Sequence, residues 1–302
     1  MEPSRAAGDG DAALAALASA SPAGSGGADD AERAFAGTSV DASAAAGHEP
    51  TDPHLELIFH GLRVVLDEDG SLATCTGYVL WEAAYALLRM IESERRVEWW
   101  KTRRVLDYSG GIGTLGVAVA MLDPSVRVTV TEFGASQLDL IRANCEANGI
   151  SCAGDDPRVE VAEAPFGDAD ACDALLRGRK PYDVILVSDV LYIALRDGLE
   201  RELLESLVQL LRGAGTRVAC GIAATTTTEL LFAFKIRLPP REKVWLDDMR
   251  VAFEAIGSAV EEVVVEEEWL CDLKPTTMMG SLFHAPDEHR CRVFRVTRSS
   301  GV

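Results

Sequence analysis

A glycine-rich turn between two acidic residues is the part of this sequence that points most directly to chemistry. Asp107 ends a short apolar strand, the turn Ser109-Gly110-Gly111-Ile112-Gly113 follows, and a second strand ends at Glu132. Glycine has no Cβ and tolerates φ > 0, so the backbone N–H groups of such a turn can approach a ligand closely. The order of strand, glycine turn, helix, strand and terminal acid predicts a nucleotide-binding βαβ unit. Glu132 is then expected to accept hydrogen bonds from two ribose hydroxyls.

Asp107 indicates which ligand suits this turn. A dinucleotide-binding enzyme usually has the spacing GxGxxG, whereas here the spacing is Ser109-x-Gly111-x-Gly113-x-x-Gly116. A second carboxylate at the end of the first strand would repel a pyrophosphate. It suits a ligand with an ammonium group and no phosphates, such as S-adenosylmethionine. The alternative is that Asp107 only caps a turn.

Three short motifs stand in a fixed order along the chain. They are TGYVLWEAA at 76–84, VLDYSGGIGTLG at 105–116 and SDVLY at 188–192. Together they resemble the seven-stranded S-adenosylmethionine-dependent methyltransferases. More narrowly, they are similar to the branch of non-histone protein-lysine methyltransferases (methyltransferase family 16-like) that modifies elongation factors, chaperones and calmodulin. The resemblance covers about half of the chain, from Leu62 to Val218.

This resemblance implies roles for individual residues. The cofactor-binding set is Trp81, Asp107, Ser109, Gly110, Gly111, Gly113, Glu132, Phe166 and Ser188. Within it, Glu132 would hold the ribose, and Phe166 would stack beside the adenine where the family often has tryptophan. Asp189 and Tyr192 would be catalytic, because they would bind the target amine and orient its lone pair. No metal site is predicted.

Two positions depart from the family pattern. Ser109 stands where the family has its first glycine, so the turn must run with a Cβ present, and a change in its geometry or weaker cofactor binding is expected. Ala223-Ala224-Thr225 follows the predicted fifth strand and lacks the arginine that several members carry there. Substrate contacts near that strand are therefore not predicted.

Each site residue also has a simpler structural interpretation. Trp81 and Tyr192 could pack in the core, as most buried aromatic side chains do. Glu132 could be an acid near a helix N-terminus. Asp189 could cap a helix that begins near Ile193.

Several function classes compete with lysine methylation. Relatives on this fold differ in their target, so a protein histidine or arginine methyltransferase is an alternative, and Ser109 motivates a degenerate cofactor-binding module without catalysis. An adenine methyltransferase acting on nucleic acid would normally have Asn/Asp-Pro-Pro-Tyr after the fourth strand, where this chain has Ser188-Asp189-Val190-Leu191-Tyr192. The formal net charge of −19 over 302 residues also argues against a nucleic-acid partner.

Composition predicts the cellular setting. Seven scattered cysteines without a CxxC pair indicate reduced thiols in a cytoplasmic protein, with the nucleus as a second location. No apolar stretch has the length of a membrane span, so no membrane association is expected. We expect a monomer whose partner is a protein substrate.

The elements that must position these residues alternate between strand and helix. Residues 1–50 are rich in Ala, Gly and Ser and are predicted to be a disordered tail, and 51–302 form one methyltransferase domain. The predicted fold is α/β, a doubly wound, mostly parallel seven-stranded sheet (Rossmann-like methyltransferase) with an N-terminal hairpin and helix. The hairpin is predicted at 62–66 and 71–75, the strands at 105–107, 126–131, 158–162, 183–187, 216–221, 260–265 and 291–296, and the helices at 80–91, 114–122, 135–147, 169–176, 195–211, 227–234 and 244–256. One antiparallel pairing is expected among the last strands.

Overall fold

The computed structural model of the protein describes residues 54–56, 63–65, 80–94, 97–154, 156–177, 181–214, 227–265 and 291–299. The helices are α1 Glu82–Glu94, α2 Val97–Trp100, α3 Thr114–Leu122, α4 Ala135–Ala147, α5 Ala169–Leu176, α6 Leu191–Asp197, α7 Glu200–Ala214 and α8 Pro239–Ala255. The strands are β1 His54–Glu56, β2 Arg63–Val65, β3 Arg104–Tyr108, β4 Arg127–Glu132, β5 Val159–Glu163, β6 Val184–Ser188, β7 Thr227–Lys235, β8 Ser258–Val263 and β9 Cys291–Ser299.

Seven strands form one sheet in the order β5-β4-β3-β6-β7-β9-β8. The strands from β5 to β7 in this order are parallel to their neighbours, whereas β9 runs antiparallel to both β7 and β8. The predicted α/β fold with a mostly parallel seven-stranded sheet is therefore confirmed, and the antiparallel strand is β9.

The sheet carries a separate apolar core on each face. Helices α1, α3 and α4 pack on one face, and α5, α6, α7 and α8 pack on the other. Strand β6 is a continuous apolar run because both of its faces are covered. The strand order reverses direction between β3 and β6, and such a reversal opens a crevice at the carboxyl ends of the strands. The predicted site residues at the ends of β3, β4 and β6 all lie at this edge.

The prediction of a helix over 227–234 is wrong, because these residues form most of strand β7. Leucine, alanine and glutamate favour a helix in isolation, but Leu230–Lys235 is buried throughout, between β6 and β9. A short apolar run does not distinguish a buried strand from a helix by its period. Burial between two neighbouring strands therefore overrides local propensity here.

Other predicted elements agree more closely. Helices α3, α4 and α5 have the predicted bounds, and the helix predicted over 195–211 is two helices, α6 and α7, separated at Gly198, whose φ is 71°. Strand β2 pairs with β1. The predicted tail at 1–50, the hairpin strand at 71–75 and the strand at 216–221 lie outside the described residues. Within the described part of the chain, no helix has the length and apolar character needed to cross a membrane.

Candidate active site

A cavity of about 540 Å³ opens at the carboxyl edge of the sheet. Nine of the eleven predicted site residues line it: Trp81, Ser109, Gly110, Gly111, Glu132, Phe166, Ser188, Asp189 and Tyr192. Asp107 and Gly113 are not among the lining residues. The structure thus brings together residues from five separate parts of the sequence: the residue before α1, the β3–α3 turn, the end of β4, the loop after β5, and the end of β6 with the start of α6.

Backbone hydrogen bonds fix the β3–α3 turn to the end of β4. The N–H of Gly110 donates to the carbonyl of Thr131 at 2.9 Å, and the N–H of Ser109 donates to the Thr131 hydroxyl at 3.1 Å. Gly113 has φ 76° and caps α3, and a Cβ there would lie 2.9 Å from Ile141 Cγ2. Gly113 therefore supports the conformation of the turn by close packing against α4 and does not line the cavity.

Glu132 is held at the rim of the cavity by two backbone donors. Its Oε1 accepts from the N–H of Gly111 at 3.0 Å, and its Oε2 accepts from the N–H of Phe133 at 2.6 Å. Burial raises the pKa of the Glu132 carboxyl, although these two hydrogen bonds act to lower it. Each oxygen keeps a further lone pair, which suits the predicted contact with two neighbouring hydroxyls.

Asp107 lies behind the turn and is fully buried. Its Oδ2 accepts from the N–H of Gly116 at 2.8 Å, and no group in the described part of the chain donates to its Oδ1. This geometry matches the turn-capping alternative, because Asp107 anchors the first turn of α3. Burial raises the pKa of its carboxyl from 3.8 to about 7.

Replacing Asp107 with asparagine should change how stability depends on pH. In the unfolded chain this carboxyl ionises near pH 4, whereas in the folded protein it keeps its proton up to about pH 7. Through this group, the free energy of unfolding of the wild type should fall by up to ~4 kcal/mol between about pH 4 and pH 7. Urea unfolding across that range should show Asp107→Asn gaining stability relative to the wild type as the pH rises. If the difference in free energy of unfolding between the two proteins did not change with pH, the raised pKa of Asp107 would be contradicted.

Asp189 is held in an unusual backbone conformation by long-range partners. Its φ is 57°, in the left-handed region that aspartate tolerates better than most residues. Its Oδ1 accepts from the backbone N–H of Lys235 at 3.0 Å, and both of its oxygens accept from the guanidinium of Arg237, at 2.8 and 2.7 Å. Helix α6 has Val190 as its N-cap, with no capping hydrogen bond from a side chain. Asp189 is therefore not a helix cap.

Arg237 is the main residue that the sequence analysis missed. It lies two residues after β7, one of the two strands that pair in parallel with β6, in a stretch that was predicted to follow a helix. Its guanidinium lies 5.2 Å from the ring centroids of both Trp81 and Tyr192. Both rings line the cavity and are half-buried, so neither residue is simply part of the core.

Phe133 is a second lining residue that was missed. Its side chain is 63% exposed although it borders the cavity directly after Glu132. The available signal in the sequence was an aromatic residue directly after the predicted ribose-binding acid. Phe166 lines the cavity as predicted, and Gly167 after it donates to the hydroxyl of Ser206 at 2.8 Å, which fixes that loop on α7.

Comparison with known proteins identifies the family. A family model described as "Lysine methyltransferase" matches residues 61–252, which is more than half of the chain. This chain belongs to that family. It is therefore an S-adenosylmethionine-dependent methyltransferase.

Individual relatives of this methyltransferase match less of it. Release factor glutamine methyltransferase from Chlorobaculum tepidum is 34% identical over 89 residues, which are 30% of this chain and 27% of that protein. The chain thus spans about a quarter of the length of this curated relative. Among solved structures, M. jannaschii TYW2 in complex with AdoMet has a TM-score of 0.46 at 12% identity, covering 83% of this chain and 88% of that one. Trm5b from Pyrococcus abyssi has a TM-score of 0.46 at 13% identity, covering 84% and 58%.

The cavity fits the cofactor of the methyltransferase family. The β3–α3 turn, a carboxylate held at the end of β4, and Phe133 and Phe166 line one continuous space. These groups would hold the methionine part, the ribose and the adenine of S-adenosylmethionine, which supplies a methyl group on a cationic sulfur. Within the described residues, no group of three or more His, Cys, Asp or Glu side chains is placed to bind a metal.

Restoring the family's glycine at Ser109 should stabilise this methyltransferase. Ser109 has φ 56°, and this backbone conformation costs an L-residue roughly 1–2 kcal/mol. Glycine removes that strain, but part of the gain in stability is lost because glycine has more conformational freedom in the unfolded chain. We expect Ser109→Gly to raise the free energy of unfolding by about 1 kcal/mol in urea titrations. Ser109→Ala keeps a Cβ and is the matched control. Equal stabilisation by both variants would show that backbone strain is not the cause.

Proposed function

We propose that this methyltransferase transfers the methyl group to a protein side chain, namely a lysine of a non-histone protein such as a translation factor. The proposal rests on Asp189 and Tyr192, a carboxylate and a phenol that both line the cavity and both contact Arg237. Both oxygens accept hydrogen bonds from an amine. Asp189 comes two residues before α6 and Tyr192 is the second residue of that helix, and the apolar residues Ile193 and Leu199 also line the cavity. That lining suits the aliphatic part of a lysine side chain.

The chemistry needs orientation more than a strong base. The lone pair of the amine nitrogen forms the N–C bond while the C–S bond breaks with its electron pair left on sulfur, and the nitrogen then releases one proton to water. Holding the nitrogen in line with that bond can contribute about 7 kcal/mol or more. The amine must first be neutral, and its ordinary pKa is about 10.4. Desolvation in the cavity and a neighbouring positive charge both lower that pKa.

Arginine fits this cavity less well as a target. A guanidinium is best held by a free carboxylate that can accept two parallel hydrogen bonds. Of the carboxylates that line the cavity, Asp189 is paired with Arg237, Asp197 is paired with Arg196, and Glu132 accepts two backbone N–H groups. A primary amine needs fewer hydrogen-bond acceptors than a guanidinium and does not require a free carboxylate with two open oxygens.

The curated relative supports a protein as the substrate. Its name describes methylation of a glutamine in a release factor, which is a side chain of a protein. For the present chain we propose only that the methyl acceptor is likewise a side chain of a protein. We further propose a monomer in the cytoplasm, with the nucleus as a second location. Neither nucleic acid nor a membrane is proposed as a partner, because a net charge of −19 disfavours phosphate-rich surfaces.

A labelling assay tests this proposal. The purified protein is incubated with cell-extract proteins and S-adenosylmethionine carrying a tritiated methyl group, and the labelled band is analysed by mass spectrometry. We expect methylated lysine in a single main band. Label on histidine or arginine would assign a different target residue. No labelled band, together with no cofactor binding at millimolar concentration by calorimetry, would instead indicate a degenerate binding module.

A further inference from the structure

The negative charge of Asp189, the predicted catalytic carboxylate, is balanced by an ion pair with Arg237. The side chain of Asp189 is 3% exposed and that of Arg237 is 17% exposed, and the two form a bidentate ion pair. Such parallel pairs are among the stronger and more specific ion pairs in proteins. The wall of the cavity at Asp189 therefore carries little net charge.

Further ionisable side chains and a tyrosine lie close to this pair. Lys235 Nζ lies 2.9 Å from Glu82 Oε2, which forms a second buried ion pair. Glu242 accepts from the backbone N–H of Arg237 at 2.8 Å, and burial raises the pKa of its carboxyl. Burial also raises the pKa of the Cys291 thiol, so this group remains neutral near pH 7. Tyr192, which faces Arg237 from α6, contributes a hydroxyl.

We propose that Arg237 is a positioning residue that cancels the charge of Asp189, so that the site binds the target amine without holding it as an ammonium ion. This inference rests on the proposed function. Without Arg237, a buried and unpaired carboxylate would stabilise the ammonium form, which has no lone pair to attack with. With Arg237 in place, Asp189 still offers an oxygen as an acceptor but no longer favours the protonated amine.

The hydrogen-bonding capacity of the wall agrees with a neutral amine. Oδ1 of Asp189 already accepts two hydrogen bonds, and Oδ2 accepts one, which leaves one lone pair on Oδ2. The Tyr192 hydroxyl supplies a second acceptor. Two acceptors match the two N–H groups of a neutral primary amine, whereas an ammonium ion has three. The sides of the Trp81 and Tyr192 rings that face Arg237 already contact a cation.

The pH dependence of methyl transfer tests this role. The acceptor is the protein band labelled by the wild type, and kcat and KM are measured from about pH 6.5 to pH 10 for the wild type, Arg237→Gln and Arg237→Lys. We expect the apparent pKa of kcat to rise by at least about one unit in Arg237→Gln, with a rate roughly tenfold lower at pH 7.5 that recovers at high pH. Its KM should not increase, because the unpaired carboxylate binds the ammonium form well. Arg237→Lys keeps the charge and should keep the wild-type apparent pKa.

Two outcomes of that experiment would overturn the inference. One is a loss of rate in Arg237→Gln by the same factor at every pH, which indicates a purely structural role. The other is an equal pKa shift in Arg237→Lys. If the glutamine variant does not fold, a shifted apparent pKa in Arg237→Lys, which retains the cation, still overturns the inference.

A second measurement needs no acceptor and separates this inference from the proposed function. S-adenosylmethionine is positively charged at sulfur and S-adenosylhomocysteine is not, so an uncompensated Asp189 should favour the former. Calorimetry should show the ratio of their affinities shifting toward S-adenosylmethionine at least about threefold in Arg237→Gln, and not in Arg237→Lys. An unchanged ratio in Arg237→Gln overturns the inference. Failure of the wild type to label any protein would count against the proposed function alone.

Discussion

Asp189→Asn should lower the rate of methyl transfer to protein at least ~100-fold while the cofactor dissociation constant changes no more than about threefold. Asparagine also tolerates the left-handed backbone that Asp189 adopts at φ 57°, and it preserves the size of the side chain. It removes the negative charge that holds Arg237 and weakens the oxygen that would orient the amine. Tritium transfer and calorimetry with the same preparation measure the two quantities.

The outcome for this variant separates catalysis from folding. Asp189→Ala is the harsher change, because it removes the carboxylate that pairs with the largely buried Arg237 guanidinium, and breaking a buried pair costs about 3–5 kcal/mol. The asparagine variant should therefore be the more stable of the two in urea. Full methyl transfer by Asp189→Asn would remove Asp189 from the catalytic site.

Glu132→Gln should weaken binding of S-adenosylmethionine by about 100-fold. The carboxylate accepts from the N–H groups of Gly111 and Phe133, and an amide NH₂ group cannot replace either acceptor oxygen. The variant therefore loses a contact to the ribose and also disturbs the turn that binds the rest of the cofactor. A hydrogen bond to a charged group contributes about 1.5–3 kcal/mol, which corresponds to this loss of affinity.

Glu163→Gln is a matched control for this prediction. Glu163 pairs in register with Glu132 on the neighbouring strand, at the same edge of the sheet, but it is exposed and does not line the cavity. Calorimetry should give the wild-type dissociation constant for this control. Equal weakening in both variants would indicate a general effect of charge at this edge rather than a contact made by Glu132.

The parts of the site that could be predicted from sequence are those in which structure is determined locally. The turn at 109–113 and the acid at Glu132 belong to one βαβ unit, so their order along the chain largely fixes their arrangement. Ser188 is the last residue of β6, and Phe166 lies three residues after the end of β5. The carboxyl ends of parallel strands meet at one edge, so these side chains also reach the cavity.

The parts that could not be predicted depend on distant partners. Arg237 lies 48 positions after Asp189, and its place in the site depends on β7 being a strand rather than a helix. Sequence alone could not decide whether Asp107 faces the ligand or the back of the turn, because both arrangements share the same strand end. The left-handed φ of Ser109 and of Asp189 is likewise a property of the folded backbone.

The place of β9 in the sheet has a consequence for how the chain folds. It follows β8 in sequence but lies between β7 and β8, and β8 pairs with no other strand in the described part of the protein. During synthesis on the ribosome, β7 would therefore emerge long before β9, the strand that covers its second edge. Until β9 is made, β7 would expose an unpaired, largely apolar edge. Pairing across such sequence distances is slow, so the strand that leads to Arg237 should be among the last to be protected from hydrogen exchange during refolding.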